Sequence, residues 1–171
     1  RLNLPGTEAV SEKIHRHDNA ETARMACQNE EVICTSVVTE VKKEHPPKLY
    51  DLTTLQRESN RLLGYTAKQT LDYAQSLYEK KLITYPRTDS RFLTEDMEAG
   101  IPKIAGKIAE KFGFHGNLAI NSQQVINNKK VNDHHAIIPT ANVYDVNYGE
   151  LPSGEQKILA LVSCRFLVDR K

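Results

Sequence analysis

No apolar run in the 171 residues approaches the roughly 20 needed to span a bilayer, so nothing in the sequence reads as a membrane helix. The N-terminus also lacks the basic, then apolar, then small-residue order of a signal peptide. It opens on Arg1 without a methionine, from which an excised piece of a longer chain is expected. Cysteine is scarce. Three residues cannot all pair internally, and Cys27 and Cys34 have neither CxxC spacing nor a neighbouring histidine, so a zinc site is not indicated. All three are expected to be reduced thiols of a cytoplasmic protein, with packing as their role. There are no internal repeats and no low-complexity tracts.

Charge of one sign is missing too. The formal net charge is +1, whereas a general DNA-binding domain shows a strong basic excess. From Arg57 to Arg91 there are seven Lys or Arg against four Asp or Glu, a bias that a solvated helical face explains equally well. What is present, 39% hydrophobic and 26% charged residues, fits a soluble globular protein. The length allows one ordinary domain, or one domain with pieces of a neighbour.

Along the chain, Ala20, Ala23 and Cys27 recur at helical spacing behind Asp18 and Asn19, either of which could cap. Val32 to Val41 is rich in β-branched residues, with Ile33, Val37 and Val41 on one side of a period-2 pattern that predicts a strand. Pro46 and Pro47 mark a boundary. Helical periodicity then takes over. Thr53 with Gln56 suggests a capping box ahead of Leu52, Leu55, Leu62 and Leu63, and Gly64 suits a left-handed C-cap. Thr66 with Gln69 opens a second helix whose predicted stripe is Ala67, Leu71, Ala74 and Tyr78, with Lys80 and Lys81 at its C-terminal end. This is a helix-turn-helix pattern, followed by a short apolar stretch, Leu82 to Tyr85.

A third helical region is expected after Thr94, interrupted by Pro102, with Ile101, Ile104, Ile108 and Phe112 as its stripe until Gly113. Residues 115–132 read as a polar surface loop with a short strand near Val125 and Ile126. Ser153 and Gln156 suggest another capping box, and Ile158, Leu161, Val162, Arg165 and Phe166 run at helical spacing to an abrupt end.

The chemistry concentrates in Leu82-Ile83-Thr84-Tyr85-Pro86-Arg87-Thr88-Asp89-Ser90. Pro86 pushes Tyr85 towards extended backbone, and in extended chain Tyr85 and Arg87 leave the same face. Arginine is the natural bidentate partner of phosphate oxygens, and the hydroxyls and carboxylate of Thr88, Asp89 and Ser90 follow in a tight turn. The combination suits a phosphate held against a tyrosyl oxygen. On residues alone the signal is weak, because a strand tyrosine is usually a packing residue.

The stretch ITYPRTDS resembles the active-site signature of the type IA DNA topoisomerases, with Pro86 after the tyrosine as in the family's topoisomerase III branch. Upstream, PPKLYDLTTLQRESN resembles the segment leading into that family's catalytic helical domain. Downstream, Asp133-His134-His135-Ala136-Ile137-Ile138-Pro139-Thr140 resembles its histidine-containing motif, and the helix around Arg165-Phe166 resembles the segment after it.

The resemblance implies strand cleavage by transesterification through a 5′-phosphotyrosine, reversible and without ATP. It implies Tyr85 as nucleophile, Arg87 holding the phosphate, and His134 contacting phosphate or relaying a proton. Thr88, Asp89, Ser90 and His135 are placed with the DNA-contacting residues, although for Asp89 and Asp133 local turn or cap hydrogen bonding accounts for the residue equally well. The family's magnesium is bound by a glutamate and a DxDxE cluster of its Toprim domain, and no DxDxE occurs in this sequence. Magnesium is therefore implied for the parent enzyme, and no metal ligand for this chain.

The expected fold class is mainly α, with a helix-turn-helix-like catalytic domain and a smaller β-containing piece of the neighbouring arch domain. The expected boundaries are 1–48 for the arch piece, 49–141 for the helical tyrosine domain, and 142–171 for the start of a return segment. The implied partners are DNA, preferentially single-stranded, and the parent's remaining domains, with no membrane. Two other readings remain: a non-enzymatic helix-turn-helix module binding duplex DNA through residues 66–81, and a purely structural helical domain.

Overall fold

The computed structural model describes residues 2–4, 7–10, 12–31, 33–42, 46–114 and 122–167, and divides into two compact units, residues 1–42 and 43–171. It is mainly helical, as expected. Among the described residues there are five α-helices, and regular strand is confined to one short hairpin.

In the first unit, β1 (Leu2–Leu4) pairs antiparallel with β2 (Thr7–Ala9), setting Leu2 opposite Ala9 and Leu4 opposite Thr7. Helix α1 (His17–Ala26) begins after Arg16, so neither Asp18 nor Asn19 caps it. Asp18 lies inside the first turn, where a carboxylate still complements the helix dipole. The strand predicted over 32–41 is absent. Residues 33–42 adopt no regular structure, and Ile33, Val37 and Val41 are 76%, 82% and 84% exposed. β-propensity expresses itself only when a neighbouring strand and a buried face are available, and among the described residues this segment has neither. Val32 itself lies outside the described residues.

The second unit carries α2 (Leu52–Leu63), α3 (Ala67–Glu79), α4 (Ile101–Lys111) and α5 (Ser153–Leu167). Asp51, not Thr53, caps α2: its backbone is extended and its carboxylate accepts from the Thr54 amide at 2.6 Å. Gly64 ends the helix with φ +70°, a conformation that glycine adopts without strain. The capping box on α3 forms as read, with Gln69 N donating to the Thr66 hydroxyl and Thr66 N to the Gln69 side chain. Its buried stripe is Thr70, Ala74 and Leu77, rotated from the expected one; Ala67 and Tyr78 are exposed. Pro102 lies in the first turn of α4, where no amide is needed, and a 3₁₀ turn over Glu95–Gly100 precedes it. Ile101 and Ile108 of its stripe are buried, with Ile104 and Phe112 packed at the margin.

Ser153 is the first residue of α5 rather than its cap, and the Gln156 side chain instead donates to the carbonyls of Leu151 and Gly149. The helix packs on α2, α3 and α4, burying Ile158, Leu159, Val162 and Phe166. Residues 115–121 of the expected loop and 168–171 of the final segment lie outside the described residues. Near Val125, one parallel bridge joins Leu93 to Ile126 in place of a strand.

Candidate active site

The tyrosine segment is aimed by the end of α3. Lys81 takes φ +60°, unusual for a side chain with a Cβ, and Leu82 N reaches back to the Leu77 carbonyl at 2.9 Å. That left-handed residue turns the chain sharply out of the helix. It is clasped from outside: the Lys81 carbonyl accepts from the Thr140 hydroxyl (2.5 Å) and the Asn142 amide (3.1 Å). A second tie fixes the helix end, where the buried Glu155 of α5 receives the Ser76 hydroxyl and pairs with Lys80.

The histidine motif, some fifty residues on, is laid antiparallel against this segment. Ile83 bridges Pro139, Thr84 N donates to the Ile138 carbonyl at 3.0 Å, and Thr140 N donates to the Leu82 carbonyl at 2.9 Å. Thr84 adds a side-chain latch. Its hydroxyl donates to the Ala136 carbonyl and accepts from the Ile138 amide, both at 3.0 Å. On the other side of the motif, Ile137 N donates to the Tyr50 carbonyl at 2.8 Å. Ala136 to Pro139 are buried, so the register between the two motifs is locked by core packing as well as by hydrogen bonds.

The consequence is a three-ring cluster at the surface. The half-buried Tyr85 ring lies 4.3 Å from the His134 ring, tilted by 44°, and 5.3 Å from Tyr78, edge to face at 75°. Tyr78, read from the sequence as part of the α3 stripe, instead backs the tyrosine. Its seven-residue spacing from Tyr85 gives no hint of this, because the turn at Lys81 intervenes. Arg87 is exposed, and among the described residues it has no hydrogen bond or ion pair.

The remaining motif residues divide. Thr88 and Ser90 are buried and their hydroxyls are used within the fold. Thr88 donates to the His134 carbonyl at 2.9 Å, and Ser90 donates to the Lys130 carbonyl at 2.9 Å. The Thr88 carbonyl also accepts from Leu52 N at the start of α2. Asp89 is exposed. His135 is half-buried, with Nδ1 2.9 Å from the Ala136 carbonyl. Asp133 is exposed beside His134.

A separate cluster anchors the entry to α2. Tyr50 donates to Glu58 at 2.8 Å, Arg165 of α5 pairs with the same carboxylate, and its guanidinium stacks 4.4 Å from the Tyr50 ring centre. Burial first, and then the Glu58 carboxylate, hold the Tyr50 phenol well above the ordinary tyrosine range. Among the described residues no three His, Cys, Asp or Glu side chains gather to hold a metal ion.

The family model described as DNA topoisomerase matches residues 5–169. The chain belongs to the DNA topoisomerase family. It is 37% identical over 170 residues to DNA topoisomerase 3 of Shouchella clausii, covering 92% of this chain and 22% of that protein. It is 42% identical over 134 residues to DNA topoisomerase 3 of a Bacillus cereus strain, covering 74% and 18%. Among solved structures, full-length topoisomerase I from Thermotoga maritima matches with a TM-score of 0.64 at 27% identity, covering 88% of this chain and 25% of that one. The chain therefore spans about a fifth of the length of the curated relatives it matches. Both the topoisomerase III resemblance and the mainly helical class agree with these matches. No helix among the described residues is long and apolar enough to cross a membrane.

Proposed function

We propose that this chain supplies the strand-cleaving half of a type IA DNA topoisomerase, with Tyr85 as the nucleophile. The observation that carries the reading is the contact of the Tyr85 and His134 rings, which come from two motifs some fifty residues apart. In this reading the phenol oxygen attacks a backbone phosphorus, forming the tyrosyl ester and releasing the 3′-hydroxyl of the neighbouring nucleotide. Attack by that hydroxyl reverses the step, so no ATP is consumed. The phenol must give up its proton to attack phosphorus, and a neighbouring imidazole is suited to relay that proton or to contact the phosphate. Arg87, exposed and among the described residues without a hydrogen bond or ion pair, is suited to pair with the phosphate oxygens on which charge grows.

The geometry refines the assignment of the other residues. Thr88 and Ser90 spend their hydroxyls on the fold, and we assign them to holding the loop; direct contact with DNA falls to Arg87, His134 and the exposed Asp89. His135, whose Nδ1 faces the Ala136 carbonyl, is assigned to the same support. Magnesium belongs to the parent's Toprim domain and not to this chain, and the parent is expected to be cytoplasmic and to prefer single-stranded DNA.

The test is Tyr85→Phe in the parent enzyme. It deletes the attacking oxygen and keeps the ring's packing, so covalent adduct is expected to vanish while DNA binding persists. An adduct trapped from the Phe variant would overturn the assignment. The 171-residue chain alone is expected to leave supercoiled plasmid unrelaxed and to bind single strands equally well with and without EDTA.

A further inference from the structure

Beyond the tyrosine loop, the chain brings two lysines onto one aromatic ring. The Lys48 ammonium lies 5.1 Å and the Lys130 ammonium 5.0 Å from the centre of the half-buried Phe92 ring. The two charges are therefore within about 10 Å of each other. Like charges repel, and the ring's negative face is what offsets that repulsion. Both lysines are exposed, and among the described residues neither has an acidic partner, whereas the adjacent Arg91 already faces Asp51 at 3.9 Å.

This arrangement stands on a fixed frame. The Lys48 carbonyl accepts from Arg165 at 3.1 Å, and Leu49 beside it is fully buried. The Lys130 carbonyl accepts from the buried Ser90, whose hydroxyl also receives the Phe92 amide at 3.2 Å. Ala136 N donates to the Phe92 carbonyl at 2.9 Å. Lys130 is thus set on backbone hydrogen-bonded to the Tyr85 loop, Phe92 on backbone hydrogen-bonded to the histidine motif, and Lys48 on backbone held by Arg165 of α5. Two unneutralised cations on rigid backbone suit an anion. With ammonium groups over the ring, its aromatic surface is engaged by charge and is not left open for a stacked base.

We propose that Lys48 and Lys130, gathered over Phe92, form a second phosphate-binding point for single-stranded DNA, distinct from the one at Tyr85. The proposal rests on the reading of Tyr85 as the DNA-attacking residue. Phe92 is seven residues from Tyr85, at most about 25 Å along extended chain, so one strand can reach both points. The role of the second point is to hold the strand that crosses Tyr85, and Phe92 acts as a positioning residue for the two ammonium groups.

The test is a salt titration of single-stranded oligonucleotide binding to the 171-residue chain, read by fluorescence anisotropy. Lys48→Gln with Lys130→Gln is expected to make the slope of log K against log salt shallower by about 1.4, since each phosphate contact on a single strand contributes roughly 0.7. Lys103→Gln with Lys107→Gln removes the same charge from α4 and is expected to leave the slope at the wild-type value. Phe92→Leu keeps both charges and is expected to weaken binding at low salt with a smaller change in slope. Thermal unfolding of each variant checks that the fold is kept. An unchanged slope in the Lys48/Lys130 variant, or an equal loss in the α4 control, would overturn this site while leaving the role of Tyr85 standing. A wild-type chain that binds no single strand would likewise overturn this site, while the Tyr85 assignment stands or falls on the covalent adduct of the parent enzyme.

Discussion

Replacing Thr84 by Val removes one hydroxyl and little shape, and it strikes the latch between the tyrosine and histidine motifs. The Ala136 carbonyl loses the Thr84 donor but keeps its 2.9 Å contact with His135 Nδ1, so the cost there is about 1 kcal/mol. The Ile138 amide is buried, and the Thr84 hydroxyl is its hydrogen-bond acceptor. Leaving such a donor unpaired costs about 2 kcal/mol. The sum, about 3 kcal/mol, corresponds to a melting temperature lower by about 8 °C for a chain of this size. His134 lies on the same segment, two residues before Ala136, and a displacement of about an ångström at a reacting centre costs on the order of 100-fold in rate. Thr84→Val in the parent enzyme is thus expected to slow covalent adduct formation by about 10- to 100-fold, measured well below its melting temperature. Thr84→Ser restores the hydroxyl and is expected to recover most of both quantities. A Val variant that melts within about 1 °C of wild type and cleaves at the wild-type rate would refute the latch.

Gly154→Ala tests the seam between α3 and α5. An added Cβ would lie 2.3–2.6 Å from three carbons of the Tyr73 ring, so overpacking of about 2–3 kcal/mol outweighs the few tenths that alanine gains in a first helical turn. Thermal unfolding is expected to show a lower midpoint, and a rise instead would place the ring elsewhere. Tyr50 supplies a pH prediction. Its folded pKa is raised above the ordinary value, so its contribution to stability is complete below about pH 10 and is lost as pH rises through the folded value. Alkaline unfolding curves of wild type and Tyr50→Phe are expected to differ in slope above pH 10 and to run parallel below it.

Helix termini were legible where one side chain answers one amide. The pair Thr66 and Gln69 and the glycine at 64 act within four residues of sequence, and the structure bears both out. The Thr53 and Gln56 pair mimics a capping box, yet Thr53 lies inside α2, and only the local backbone decides that the Asp51 carboxylate meets the orphan amide. Residues 33–42 show the opposite limit: period-2 alternation states which faces could be buried, and not whether a second surface exists to bury them. The motifs singled out Tyr85, Arg87 and His134 in the sequence, and of these the Tyr85 and His134 rings lie 4.3 Å apart. Tyr78 was not readable, because its contact depends on the left-handed turn at Lys81, which sequence periodicity does not encode. The internal use of the Thr88 and Ser90 hydroxyls was equally hidden, since their partners are carbonyls about forty residues away.

The central claim concerns which oxygen attacks DNA, and Tyr78 lies close enough to Tyr85 to be a real competitor. The most direct measurement traps the covalent adduct formed by the parent enzyme on a labelled single strand, digests it, and locates the modified tyrosine by mass spectrometry. The account predicts a nucleotide joined through its 5′-phosphate to Tyr85 alone. A nucleotide on Tyr78, or a linkage through the 3′-phosphate, would contradict it.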